Sequence, residues 1–274
     1  MTTTCVCATR HAFVYHGKTA LITGASSGIG EAFARELAHR GMHLVLVARS
    51  HGRLHALAAE LVEQHRGQVD VIVADLTLEG TASRIKSELE QRGLQVHLLI
   101  NNAGFGRHGR FEMLDPWRDR QQVMVDVAAV VDLAHAFVPG MVARAAGAII
   151  NLASTAAFQP LPYMPVYGAS KAFVLSFSEA LAEEVRSRGV RVLALCPGAT
   201  ETAFFDVAGQ DVSVGRRRTP LQVVLTGLRG IEAGQSVVVD GNINALVAQA
   251  PRFLPRRFVA WIAAQTLRPR QALA

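Results

Sequence analysis

Short apolar runs alternate with longer segments of helical periodicity along most of the chain. The runs at 19–23, 44–48, 69–73, 98–101, 148–153, 191–195 and 236–240 are rich in aliphatic and β-branched residues and predict seven strands. Helical spacing predicts helices between them at 29–40, 53–65, 82–92, 116–145 and 165–188. A crossover helix after each strand returns the chain to the same edge, so the strands are expected to run parallel. Leu44-Val45-Leu46-Val47 is apolar on both faces, as a strand covered by helices above and below should be. The predicted fold class is α/β: a single doubly wound domain whose seven-stranded parallel sheet has helices on both faces. The stretch from Pro197 to Pro220 is polar, contains glycine and lacks periodicity. It reads as a mobile loop with short helical pieces, lying over the crevice at the strand ends.

Composition narrows this picture only a little. The chain has 274 residues, 50% of them apolar, enough for one sizeable core. Without repeats or a long linker, it divides into an N-terminal extension 1–17, a main domain 18–241 and a C-terminal extension 242–274. Lys and Arg outnumber Asp and Glu by 28 to 22, a net charge of +6 that favours anionic ligands. No nucleic-acid partner is expected. Cys5, Cys7 and Cys196 are too few for a disulfide framework, and Cys5-Val6-Cys7 lacks the spacing of a zinc site, so no metal is expected. Residues 1–17 lack the apolar centre of a secretory signal. The most apolar region, 123–158, is interrupted by Asp126, Asp132, His135 and Arg144. The expectation is therefore no membrane-spanning helix and a reducing cytoplasmic location.

The glycine-rich run Thr23-Gly24-Ala25-Ser26-Ser27-Gly28-Ile29-Gly30 ends the first strand and opens the first helix. Glycine lets backbone approach a pyrophosphate, and a helix N-terminus offers it unpaired N–H groups, so a dinucleotide is expected there. An acidic residue at the end of the second strand would hold a ribose 2′-OH and repel a 2′-phosphate. This chain has Arg49 and Ser50 at that place, which predicts NADP(H) over NAD(H). Tyr167 and Lys171 are four residues apart on one helix face, and Ser154 follows a strand directed at the same crevice. An ammonium beside a phenol favours its ionised form, so Tyr167 can pass a proton to or from a carbonyl oxygen while Ser154 hydrogen-bonds that oxygen.

These motifs, in this order, resemble the short-chain dehydrogenase/reductase family over about residues 18–240. The resemblance implies a Rossmann-type domain in which Tyr167, Lys171 and Ser154 are catalytic and Lys171 also holds the nicotinamide ribose. It also implies that Asp75 and Leu76 meet the adenine, and that Asn102, Ala103 and Gly104 line the nucleotide. Pro197, Gly198 and Thr202 would meet the carboxamide or diphosphate, with Thr200 the alternative to Thr202. The family's dimers and tetramers, built through long helices, imply a homo-oligomer. Where the family carries asparagine in a water-mediated proton relay to the lysine, this chain has Asp126. A carboxylate accepts hydrogen bonds but cannot donate as an amide does. We expect the relay to survive in altered form.

Phe158, Leu161 and Met164, with Ala203, Phe204, Phe205 and Val207 as an apolar lid, point to a hydrophobic carbonyl or alcohol substrate, with core packing as the equal alternative. Arg216-Arg217-Arg218 reads as a solvated loop before it reads as an acid-binding site. The tail carries Phe253, Phe258 and Trp261 among Arg252, Arg256, Arg257, Arg268 and Arg270. It reads as a basic amphipathic helix that covers the domain or a second subunit, or docks on an anionic membrane surface. The expected activity is NADP(H)-dependent interconversion of a ketone or aldehyde with an alcohol. The alternative is an NADPH-binding sensor or interaction protein with little turnover, for which Asp126 is the main support. No Gly-x-Ser-x-Gly elbow surrounds Ser154, which argues against an acyl-transferring hydrolase.

Overall fold

The computed structural model describes residues 13–202 and 217–269. Strands β1 (Thr19–Thr23), β2 (His43–Ala48), β3 (Val69–Val73), β4 (Val96–Asn101), β5 (Gly147–Leu152), β6 (Val190–Cys196) and β7 (Val237–Val239) form one sheet. Its order is β3-β2-β1-β4-β5-β6-β7 and every pairing is parallel. The strand ends lie within two residues of those read from the apolar runs. The order reverses beside β1, so the connections after β1 and β4 leave in opposite directions and open a crevice between them.

Alternation along the strands fills both faces. Ala20 and Ile22 of β1 pack with α1 (Gly28–His39) and α2 (His51–His65), whereas Leu21 packs with α3 (Thr81–Gln91). Two more helices complete that second layer: α4 (Pro116–Ala143), which contributes Leu133, Phe137 and Met141, and α5 (Pro165–Arg186), which contributes Ala182 and Val185. The first layer is closed by α6 (Pro220–Glu232) through Val224 and Leu228. Residues 13–17, at the end of the N-terminal extension, are tied to the domain. Phe13 and Tyr15 pack on the core, and the Tyr15 hydroxyl donates to Glu232 at 2.8 Å.

Two helices depart from the sequence reading. In α4 the turn Met124–Ala128 is π-helical and holds the buried Asp126. Among the described helices α4 alone is long and apolar enough to cross a membrane, with a window of mean hydropathy 1.6, although the interrupting charges had pointed to no such span. Its inner face carries Gln122 and Asp126 and packs against the sheet. The tail is also not one helix. Pro251 and Pro255 cannot continue a helical ladder, so it folds as α7 (Asn242–Gln249) and α8 (Arg256–Leu267), joined by a short turn at Ala250–Phe253.

Candidate active site

A cleft of about 1710 Å³ runs along the carboxyl ends of the strands. That exceeds the roughly 300–1,000 Å³ of a single-ligand pocket and leaves room for a dinucleotide and a second molecule. One end is the glycine loop. Gly24 and Gly28 have φ of 64° and 60°, which L side chains rarely adopt, and a Cβ on Gly24 would fall 2.8 Å from Asn102 Nδ2. Ser27 caps α1 in an extended conformation without a side-chain cap, so the first turn of α1 keeps free N–H groups for an anion. Ser26, Ser27, Gly28 and Ile29 all face the cleft. Gly30 serves packing instead, because a Cβ there would lie 2.2 Å from the Gly24 carbonyl oxygen. Gly30→Ala is expected to cost about 1–3 kcal/mol of stability and to weaken nucleotide binding with it, which thermal unfolding with and without NADPH would show.

Beyond the loop, Arg49 and Ser50 stand exposed at the end of β2. Arg53, in the first turn of α2, lines the same end, and that turn holds no acid. Asp75 and Leu76 line the wall after β3. Asp75 Oδ1 is already engaged, accepting from the Thr77 N–H at 2.9 Å and the Thr77 hydroxyl at 2.8 Å. Asn102 lines the cleft and also clamps the loop, its Nδ2 donating to the Thr23 carbonyl at 2.9 Å. Ala103 and Gly104 continue the wall.

The three candidate catalytic side chains, Ser154, Tyr167 and Lys171, all line the cleft. Ser154, at 8% exposure, follows β5, and its Oγ accepts from the Ala156 N–H at 3.1 Å. Lys171 is 6% exposed, and its Nζ donates to the Leu152 carbonyl at 3.0 Å and lies 5.7 Å from the centre of the Tyr167 ring. One helical turn of α5 thus brings phenol and ammonium to the same wall, which Ser154 also shares. Burial pushes the Tyr167 phenol up, Lys171 and a Ser154 hydrogen bond pull it back, and Asp126 pushes it further up. The sequence reading gave Lys171 the leading influence. Burial outweighs it here and holds the phenol above its ordinary value.

Asp126 reaches this group from α4. It is 1% exposed, its Oδ1 accepts from the Phe105 N–H at 3.2 Å, and its Oδ2 has no hydrogen-bond partner. A Cβ on Gly104 would fall 2.6 Å from Asp126 Oδ1 and 3.3 Å from Lys171 Nζ, so glycine at 104 lets carboxylate and ammonium share one corner. Burial raises the Asp126 carboxyl to about 6, against the pull of Lys171, the Phe105 N–H and Gln122.

Pro197, Gly198, Thr200 and Thr202 lie on the wall after β6. Thr202 packs its methyl group over Gly28, where a Cβ would be 3.0 Å away, so it sits above the glycine loop. The Thr200 hydroxyl instead donates to the Gly198 carbonyl at 3.1 Å. Arg217 faces the cleft, but Arg218 is no solvated charge. It pairs at 2.5 Å with Asp240, which is fully buried and also accepts from the Thr226 hydroxyl at 2.7 Å. Arg216 and the expected lid of Ala203, Phe204, Phe205 and Val207 fall outside the described residues. Phe158, Leu161 and Met164 do line the cleft, joined by side chains the sequence did not suggest: Phe105 after β4, Ile243 and Val247 of α7, and Ile262 of α8. Cys196 is buried, which raises its thiol to about 12 and leaves it unreactive.

A parallel sheet in this order, with a glycine loop opening α1 and a serine, a tyrosine and a lysine on one cleft wall, defines a Rossmann-type α/β domain with a cleft at its switch point. The profile of the short chain dehydrogenase family matches residues 18–213, and the chain belongs to that family. It is 38% identical over 251 residues to a very-long-chain 3-oxoacyl-CoA reductase of Anas platyrhynchos, covering 90% of this chain and 75% of the other. Alignment with the Macaca fascicularis protein of the same name spans 59% of that protein's length. A short-chain dehydrogenase from Sphingobium yanoikuyae in complex with NADPH superposes with a TM-score of 0.78 at 34% identity, over 94% of this chain and 98% of the other. A bulky-bulky ketone specific alcohol dehydrogenase from Comamonas testosteroni gives 0.74 at 32% identity, over 94% and 96%.

Proposed function

We propose that the protein is an NADPH-dependent reductase of bulky, apolar ketones, acting reversibly on the matching secondary alcohols. The observation that carries the reading is the convergence of Ser154, Tyr167 and Lys171 on a cleft with basic residues at its nucleotide end and apolar ones at its other end. The glycine loop and the open N–H groups of α1 fit a pyrophosphate, and Arg49, Ser50 and Arg53 fit a 2′-phosphate. Bound there, NADPH supplies the hydride. The rest of the chemistry belongs to the chain. Ser154 donates a hydrogen bond to the substrate carbonyl and fixes its orientation. Tyr167, protonated at neutral pH, gives its proton to the oxygen as negative charge develops there. Lys171 steadies the resulting phenolate and is itself positioned by the Leu152 carbonyl.

Two relatives support the substrate class by what their names state, one a 3-oxoacyl-CoA reductase and one specific for bulky ketones. The test is to follow NADPH absorbance with aromatic, steroidal and long-chain 3-oxo substrates. Turnover of bulky ketones that Tyr167→Phe abolishes is the expected result. Tight NADPH binding with no turnover across the panel would favour the sensor reading, in which ionised Asp126 has disabled the proton path. For cofactor choice, Arg49→Glu is expected to raise the KM for NADPH roughly 10–100-fold, the worth of a charge-assisted hydrogen bond. The KM for NADH should stay constant or fall; steady-state kinetics with both nucleotides would show it.

A further inference from the structure

We infer that α7, α8 and the turn between them form a docking face for an anionic lipid bilayer, placed so that the mouth of the cleft opens at the membrane surface. Residues 242–274 include five arginines and no aspartate or glutamate. The fold divides this segment by chemistry. Val259, Ala263 and Leu267, spaced one helical turn apart, are buried, Ala263 and Leu267 lining the cleft, and the Leu267 carbonyl contacts His108 Nε2 at 2.6 Å. The opposite side of α8 carries Phe258 and Trp261, stacked with centroids 5.9 Å apart, Trp261 being 58% exposed. In the preceding turn Phe253 is 84% exposed, and on α7 Leu246 is 75% exposed. Arg252, Arg256 and Arg257 are exposed among them.

Apolar side chains of this size, presented to solvent beside cations, need a partner that offers both an apolar layer and negative charge. A second copy of the chain meets this poorly. A two-fold contact would set Arg252, Arg256 and Arg257 near their own copies, with no acid in the segment to neutralise them. An acidic bilayer answers both needs, since phosphate groups pair with guanidinium while the aromatic rings settle at headgroup depth. The face is continuous with the site: Ile243, Val247 and Ile262 are exposed and also line the cleft. At its far edge Arg110 and Arg268 stand beside the lone acid Glu112. A substrate dissolved in the bilayer would reach the cleft without crossing water. That access step rests on the ketone-reductase reading, whereas docking does not.

The full-length protein is mixed with extruded vesicles of phosphatidylcholine alone, or of equal parts phosphatidylcholine and phosphatidylglycerol, and sedimented. Binding to the anionic vesicles, its loss at high salt, and a blue shift of Trp261 emission in a Trp117→Phe background are expected. The triple variant Arg252→Glu, Arg256→Glu, Arg257→Glu should bind on the order of a hundredfold more weakly. It should still reduce a water-soluble ketone at the parent rate, because none of the three lines the cleft. Failure to bind anionic vesicles, or binding indifferent to the charge reversals, overturns the proposal. So does a concentration-dependent dimer that Trp261→Ser dissociates, since a second copy would then cover the face. If no ketone is turned over yet vesicle binding follows the arginines, the enzymatic reading fails and the docking stands.

Discussion

Tyr167→Phe is expected to lower carbonyl reduction by about 10²–10⁴-fold, the usual contribution of a positioned proton donor, with NADPH binding little changed. Phenylalanine keeps the ring that faces Lys171 Nζ and fills the same volume, so the wall should persist. Only the hydroxyl goes, and with it the proton that in the proposed reaction reaches the oxygen as hydride arrives. The loss should fall on kcat and not on KM, because the interaction removed strengthens as charge develops on the oxygen. NADPH titration by fluorescence separates this from a folding defect. A variant that binds NADPH normally and retains more than a tenth of the parent rate would move proton delivery from Tyr167 to another group or to water.

The sheet and its motifs were legible because their signals are local. Apolar runs such as 44–48 fix a strand from a few neighbouring residues, and the glycine loop announces itself where strand meets helix. Tyr167 and Lys171 needed only the geometry of one helical turn. What escaped depends on distant parts of the chain meeting. Nothing near Ile243 or Ile262 in sequence says that they wall the cleft, because α7 and α8 return across it only after the sheet is complete. Arg218 could not be separated from a solvated run until Asp240 came to lie against it. The break in the tail is written in Pro251 and Pro255, whose signal competes with the amphipathic pattern around them. Arg53 carries a signal too, four residues after Arg49, where the first turn of α2 places it at the same end of the cleft.

Asp126→Asn is expected to change stability in a pH-dependent way. Burial holds the carboxyl at about 6, against an ordinary value of 3.8. Between about pH 4 and 6 the folded protein therefore keeps a proton that the unfolded chain has lost, and stability falls as pH rises through that window. Above it the folded protein carries the full cost of a buried carboxylate. Asparagine has no such cost, so the difference in stability between variant and parent should shift in favour of the variant by about 2 kcal/mol from pH 4 to pH 8. Urea unfolding at each pH would show it. The same carboxylate raises the Tyr167 phenol, so removing it should move the rise of alcohol oxidation with pH to lower pH. Reduction needs the phenol protonated and should stay within about threefold of the parent near neutrality. A reduction rate about tenfold higher in the variant would mean instead that the aspartate obstructs proton exchange at Lys171. In that case the departure from the family's asparagine impairs the relay, and the sensor reading gains the support that the convergence of Ser154, Tyr167 and Lys171 now gives to the enzyme.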